Sequence, residues 1–199
     1  MTNKYGWSID NRFTPNQILL IQTAGMDLEA FVDSINGGRG REWIIAHTHG
    51  ARIHRGGLPA AIAAQVTGLP TSLVFPSVDI WLAEYFDTFP SPKHHFLHEL
   101  GHVVDNCSPS LGIIPHTIFG GGAADRLVIF LGGRPAGWRY TNGSSGIPVQ
   151  YHWWGTGVYG NHSTADYFAE AFSWLPYDPV KLPDALVARW FNSGIFLVN

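Results

Sequence analysis

Two histidines and a glutamate lie within five residues of one another, in the segment His-Glu-Leu-Gly-His at positions 98–102. On a helix, His98 and His102 would project from one face a single turn apart, where both imidazoles can reach one metal ion. Glu99 would point to the side of that face, where its carboxylate can take a proton from water without binding the metal. This pattern is typical of hydrolytic zinc sites, with Glu99 as the general base.

A catalytic zinc ion needs a third protein ligand and an open position for water. The segment after Ser163 predicts a helix that carries Asp166 and Glu170 four residues apart, on one face. On spacing alone, either acid can be the ligand. Near the start of its helix, Asp166 would also stabilise the helix N-terminus in the absence of a metal ion. Asp105, which follows His102 by about one turn, either accepts a hydrogen bond from a ligand histidine or simply ends its helix.

Three stretches of the sequence resemble the anthrax lethal factor-like metallopeptidases, a family that includes the secreted Pro-Pro endopeptidases. They are His-Glu-Leu-Gly-His-Val-Val-Asp at 98–105, Tyr-Gly at 159–160 and Ala-Asp-Tyr-Phe-Ala-Glu-Ala-Phe at 165–172. The resemblance is confined to two blocks of the sequence, 98–105 and 159–172.

This resemblance implies a role for each acid. The family has a tyrosine seven residues before its third zinc ligand, and Tyr159 stands seven residues before Asp166. Asp166 would then bind zinc, Glu170 would orient a ligand histidine, and Tyr159 would donate a hydrogen bond to the oxyanion of the transition state. The family usually has glutamate at the ligand position. With the shorter aspartate, the second helix must lie closer to the metal, or Glu170 must be the ligand instead.

The two histidines and the acids are expected on helices in the second half of the chain. Ser91 and Pro92 predict a helix start, and the pattern continues to about residue 106. A second helix is expected from Ser163 to the residue before Pro176, and a last one over 183–192. Between the first two of these helices, the segment 108–157 is rich in glycine and proline. This composition predicts a long loop-rich insertion, interrupted by an apolar run at 127–131.

The first half predicts helices and short strands. Thr14 and Pro15 are typical of a helix start, and a second helical segment is expected from Asp27 to Gly37. A strand at 42–47 would place His47 and His49 on one face, a spacing that is more typical of surface or core histidines than of a metal pair. The remaining expected elements are a short helix at 59–67, a strand at 71–75 and a helix after Ser77.

Composition excludes several classes of function. A net charge of −3, a pI near 6.3 and the lack of a run rich in lysine and arginine argue against a nucleic-acid partner. Cys107 is the single cysteine, so neither an intrachain disulfide nor a cysteine zinc cluster can form. No apolar stretch predicts a signal peptide or a membrane span. We expect a secreted protein if a leader has been removed and a cytoplasmic one otherwise.

The sequence therefore predicts one α+β, zincin-like domain over 1–199, with a helical and sheet part at 1–90 and an active-site part at 91–199. It would contain a small mixed sheet, an active-site helix and C-terminal helices. The expected activity is that of a monomeric zinc-dependent endopeptidase acting on a peptide or protein substrate. The alternatives are an inactive zinc-binding domain that recognises a partner and a zinc amidohydrolase such as a deformylase. Deformylases take a cysteine ligand from upstream of the histidine helix, whereas Cys107 lies after it.

Overall fold

The structure is a computed structural model of the 199-residue chain. It describes residues 1–48, 50–58, 64–67, 78–107, 123–130, 164–177 and 185–192. In this part of the chain the protein is a mixed α+β structure with one four-stranded sheet and six α-helices. The described helices include none that is long and apolar enough to cross a membrane.

The sheet is small and mixed, as predicted. Its strands are β1 (Ser8–Ile9), β2 (Arg52–Arg55), β3 (Ala64–Thr67) and β4 (Asp79–Leu82). They are ordered β1-β2-β4-β3, with β1, β2 and β4 parallel and β3 antiparallel to β4. Ile53 of β2 pairs with Ile80 of β4, and both are fully buried. The antiparallel strand β3 therefore forms one edge of the sheet among the described residues.

The first helix, α1 (Pro15–Asn36), begins where the sequence predicts. The Thr14 hydroxyl accepts a hydrogen bond from the backbone of Gln17, and the Gln17 side chain accepts one from the Thr14 backbone, which completes a capping box. Gly37 ends the helix with a φ of 72°, a left-handed conformation that glycine adopts without strain.

The prediction of two separate segments was wrong, because α1 continues through Gly25 without a break. The rings of Tyr5 and Trp7 pack against Gly25 so closely that a Cβ there would lie 2.6 Å from Tyr5 Cε2. The glycine is therefore a packing position within the helix. A local reading of glycine as a helix breaker misses this, because the contact comes from residues about 20 positions earlier in the chain.

Three of the short elements were predicted wrongly. The strand expected at 42–47 is part of helix α2 (Gly40–Thr48), whose Trp43, Ile44 and His47 are buried at helical spacing. The helix expected after Ser77 is β4, which alternates buried Ile80 and Leu82 with partly exposed neighbours. The helix expected at 59–67 is β3 over its last four residues, held by pairing with β4. The preceding residues, 59–63, and the strand expected at 71–75 lie outside the described part. In each case tertiary pairing or burial outweighs a weak local preference.

The helices of the second half agree with the prediction. Helix α3 (Pro92–Cys107) carries the histidine motif, α5 (Thr164–Trp174) carries the two acids, and α6 (Ala185–Trp190) follows. Part of the apolar run in the glycine-rich insertion belongs to an additional helix, α4 (Ala123–Phe130). The rest of that insertion lies outside the described residues.

Helix α3 is the centre of the packing. It contacts helices α1, α2 and α5 and strands β3 and β4 of the sheet. Large aromatic side chains connect the two halves of the core: the Trp7 ring lies 5.5 Å from Phe96 of α3, and Trp43 lies 6.4 Å from Phe172 of α5. All four rings are fully buried. The histidine motif is therefore on a helix that is held from several sides.

Candidate functional site

The two histidines of the motif face the same way on α3. The His98 and His102 rings lie with their centroids 4.9 Å apart and their planes at 81°. His98 is buried and His102 is partly exposed. This arrangement follows directly from the four-residue spacing on a helix, which places the two side chains one turn apart.

Helix α5 places Glu170 beside His98 Nδ1. Glu170 Oε2 lies 3.0 Å from His98 Nδ1, and both side chains are buried. An ionised carboxylate can only accept hydrogen bonds, so His98 Nδ1 is the donor. In the neutral imidazole this fixes the proton on Nδ1 and leaves Nε2 with its lone pair. His98 is thereby held in the tautomer that a metal ligand requires on its other nitrogen.

A close approach of the two helices makes this contact possible. Gly101 of α3 packs directly on Ala169 of α5, and a Cβ at Gly101 would lie only 2.8 Å from Ala169 Cα and 3.2 Å from Phe172 Cδ1. Any larger residue at 101 would push the helices apart. The glycine within the histidine motif therefore sets the distance at which Glu170 meets His98.

Glu99 is the buried acid of the motif, with an exposed fraction of 7%. It directly follows His98 on α3, so its side chain leaves the helix about 100° around the axis from the ligand face. A carboxylate in that position lies beside the two histidines without pointing along the same row.

Burial also tunes a histidine that precedes the motif. Burial lowers the pKa of His95, and His98 would act in the same direction when protonated, while the Glu170 carboxylate opposes both. His95 is therefore predominantly neutral at pH 7.

The other acid near the motif, Asp105, contacts a different helix. Its Oδ1 accepts a hydrogen bond of 2.7 Å from the backbone N–H of Ala124, in the first turn of α4. Helix N-termini have backbone N–H groups without intrahelical acceptors, and a carboxylate both satisfies one and complements the helix dipole. The two interpretations of Asp105 from the sequence, a hydrogen bond to a ligand histidine or the end of its helix, did not include this contact to α4.

Two predicted site residues cannot be compared with the geometry. Asp166 lies in the first turn of α5, one turn before Glu170, but its side chain is outside the described part of the structure. Tyr159 lies outside the described residues altogether. Among the side chains that are described, no group of three histidine, cysteine, aspartate or glutamate residues is arranged to hold a metal ion.

His47 is packed within a helix. It lies in α2, where its Nδ1 is 2.8 Å from the Trp43 carbonyl oxygen and its ring stacks on the Trp43 ring at 4.3 Å. Burial lowers its pKa. The expected alternation with His49 on a strand was wrong, because the segment is helical, and His49 itself lies outside the described residues.

Sequence reasoning missed three buried polar residues around Glu170, namely His94, Ser173 and Trp174. The signal was present in the spacing. His94 precedes His98 by four residues, and Ser173 and Trp174 follow Glu170 by three and four, so each lies one helical turn from a residue of the site.

Comparison of the chain with protein-family models, with curated proteins and with solved structures gave no match in any of the three.

Proposed function

We propose that this chain is a zinc-dependent endopeptidase whose metal is held by His98, His102 and Asp166, with Glu99 as the general base. The observation that supports it best is the 3.0 Å contact between Glu170 Oε2 and His98 Nδ1 behind the motif. Metal-ligating histidines commonly donate their second N–H to a carboxylate, which fixes the ring and raises its basicity. A histidine that only packed in a core would not require a buried carboxylate from another helix.

The donor set fits zinc. Two neutral imidazoles from one helical face and one carboxylate form a common ligand set of catalytic zinc. Glu170 Oε2 accepts from His98, and Glu170 Oε1 lies 3.4 Å from the Trp174 Nε1 donor. Both oxygens of Glu170 therefore have partners within the protein, which favours Asp166 as the third ligand and Glu170 as the residue that orients His98.

Zinc, Glu99 and Tyr159 have separate roles in the proposed reaction. Zinc, when bound, supplies a Lewis acid that acidifies water and polarises the scissile carbonyl. The Glu99 carboxylate takes the proton from the attacking water and returns it to the leaving amine nitrogen. The Tyr159 hydroxyl donates a hydrogen bond to the oxygen on which negative charge develops in the transition state.

The fold supports a zincin-like arrangement and an extended peptide substrate. Helix α3 packs against β3 and β4, and β3 is the antiparallel edge strand of the sheet among the described residues. An edge strand has unpaired backbone N–H and C=O groups, and an extended peptide can pair with them as an additional strand. In this proposal β3 holds the peptide in register beside the histidine motif.

Replacement of Glu99 tests the mechanism. The wild type is expected to purify with about one zinc ion per chain and to cleave peptides in a mixed library, measured by metal analysis and mass spectrometry. Glu99→Ala should keep its zinc and lose about 10²–10⁴-fold in cleavage rate, the usual contribution of a general base. Glu42→Ala, which removes an exposed carboxylate on α2, is the matched control and should keep both zinc and activity.

The outcomes separate the alternatives. Full activity of Glu99→Ala would exclude Glu99 as the base. A wild type that binds zinc but cleaves nothing in the library would favour a domain that recognises a partner. A wild type that cleaves only formylated or other non-peptide amides would favour an amidohydrolase.

A second experiment decides between the two acids. Zinc-edge X-ray absorption of the wild type, Asp166→Asn and Glu170→Gln reports the atoms bound to the metal. We expect the coordination shell to change in Asp166→Asn, whereas Glu170→Gln should keep the shell and bind zinc about 10–100-fold more weakly. The reverse result would make Glu170 the ligand.

A further inference from the structure

Three buried side chains that carry a ring N–H or a hydroxyl group lie around Glu170. His94 of α3 and Ser173 and Trp174 of α5 have exposed fractions of 2%, 0% and 7%. We call these three residues the positioning layer. Burying polar groups costs free energy unless they are hydrogen-bonded, so the bonds they make indicate what they do.

The direction of the hydrogen bonds in this layer follows from the donors available. Ser173 Oγ lies 2.7 Å from the main-chain oxygen of Glu170, which can only accept, so the hydroxyl donates there. A hydroxyl has one hydrogen, and Ser173 Oγ therefore accepts from His94 Nε2, 2.5 Å away. This places the His94 ring proton on Nε2.

The His94 ring also lies near the carboxylate of Glu170. His94 Nε2 lies 3.6 Å from Glu170 Oε1, and the Trp174 indole N–H points to that oxygen at 3.4 Å. The His94 and Trp174 rings pack against each other with their centroids 4.4 Å apart. The Trp174 N–H thus donates to Oε1 while Oε2 accepts from His98, and His94 packs against the Trp174 ring.

We propose that His94, Ser173 and Trp174 are positioning residues that hold the Glu170 carboxylate and, through it, the His98 imidazole. This inference rests on the proposed zinc site and extends it by one layer. A carboxylate that is held at both oxygens cannot rotate, so the Nδ1–H of His98 has one acceptor in one place and the ring keeps one orientation. Zinc affinity therefore depends on residues that never contact the metal.

The two helices present this layer by simple periodicity. His94 and His98 are one turn apart on α3, and Ser173 and Trp174 are one turn beyond Glu170 on α5. The contact of Gly101 with Ala169 brings the two rows together. The positioning layer therefore forms where α3 and α5 cross.

Two conservative variants test the layer, each with a matched control. Trp174→Phe removes the indole N–H and keeps an aromatic ring against His94. Ser173→Ala removes the hydroxyl at a position where alanine favours the helix. Trp190→Phe, in α6, and Ser34→Ala, whose hydroxyl makes the same bond to the carbonyl three residues earlier in α1, are the controls.

Zinc affinity is measured by competition with a chromophoric chelator, together with the visible spectrum of the cobalt-substituted protein. We expect Trp174→Phe and Ser173→Ala to weaken zinc about 3–10-fold, less than the roughly 10–100-fold typical for a direct partner of a ligand histidine. The cobalt spectrum should shift with them. Both controls should stay within about twofold of the wild type.

A double-mutant cycle separates positioning from general packing. If the layer acts through Glu170, Trp174→Phe should have almost no further effect on zinc affinity in a Glu170→Gln background. Additive losses would overturn the inference, because they would show that Trp174 acts independently of Glu170. Variants that bind zinc as tightly as the wild type would also overturn it while leaving the proposed function intact.

The tautomer of His98 provides a readout without metal. In the metal-free wild type, imidazole ¹⁵N shifts should show the proton on Nδ1, and in Trp174→Phe a second tautomer should become populated. A wild type that binds no zinc would overturn the proposed function, and the ¹⁵N result would then decide whether the layer orients His98. An unchanged tautomer in Trp174→Phe would overturn the inference.

Discussion

Replacement of Gly101 by alanine is expected to destabilise the protein and, at the same time, to weaken zinc binding at the proposed site. The added Cβ would lie 2.8 Å from Ala169 Cα and 3.2 Å from Ala169 Cβ. The nearest of these is a backbone atom, which a side-chain rotation cannot remove. Helices α3 and α5 must therefore separate, and the contact between Glu170 and His98 must lengthen with them.

The magnitude is the difference between two opposing effects. Overpacking a well-packed contact costs about 1–3 kcal/mol. Replacing glycine by alanine inside a helix stabilises the helix by about 0.5–1 kcal/mol. Because the obstacle is backbone, we expect a net loss of about 1–2 kcal/mol. For a domain of this size that lowers Tm by about 2–8 °C.

The assay pairs thermal denaturation of the metal-free protein with zinc affinity. Gly25→Ala is the matched control, because it is also a helical glycine and its Cβ would lie 2.6 Å from Tyr5 Cε2. Both variants should lose stability. Only Gly101→Ala should also lose zinc affinity, by up to about tenfold, because only that crossing carries Glu170.

Two results would contradict this prediction for Gly101→Ala. A Gly101→Ala variant as stable as the wild type would mean that the helices adjust at no cost and that helix propensity decides the outcome. Equal losses of zinc affinity in Gly101→Ala and Gly25→Ala would mean that the metal site responds to global stability and not to the crossing.

Two further predictions concern Asp10 and Asp105. The hydrogen bond from Arg12 lowers the pKa of Asp10 from 3.8 to about 2. Asp10 therefore stabilises the fold above pH 4, and the deficit of Asp10→Asn in denaturant unfolding should shrink as the pH falls from about 4 to 2; a deficit independent of pH would contradict this. Asp105→Ala should cost about 1–2 kcal/mol by leaving the buried N–H of Ala124 without its acceptor, whereas Asp105→Asn should cost less. Hydrogen exchange at Ala124 checks it, and equal protection in both variants would argue against a capping role.

Local signals predicted the helices around the site well. The start of α3 at Pro92, the capping box of α1 at Thr14 and the end of α5 before Pro176 each depend on a few adjacent residues. Such caps act through hydrogen bonds within one turn, so their pattern is visible in the sequence.

The short strands and the neighbouring helix were not predictable in the same way. Trp43 and Ile44 are strand formers by propensity, yet they lie in α2, where Trp43 stacks on His47 and packs on Phe172. Ile80 and Leu82 look helical in their context and instead pair with β2 and β3. Short segments have weak local preferences, so burial against distant residues decides their conformation.

At the site, the spacing in the sequence is enough to predict that His98 and His102 share a helical face with Glu99 beside it, because residues on one helix have a fixed geometry. The contact of Glu170 with His98 Nδ1, and those of His94, Ser173 and Trp174 around Glu170, are seen only in the folded structure. The contacts of His98 and His94 with α5 join residues 72 and 79 positions apart, and they depend on how closely α3 and α5 pack at Gly101. A helix crossing is set by the shapes of both surfaces together, and neither helix encodes it alone.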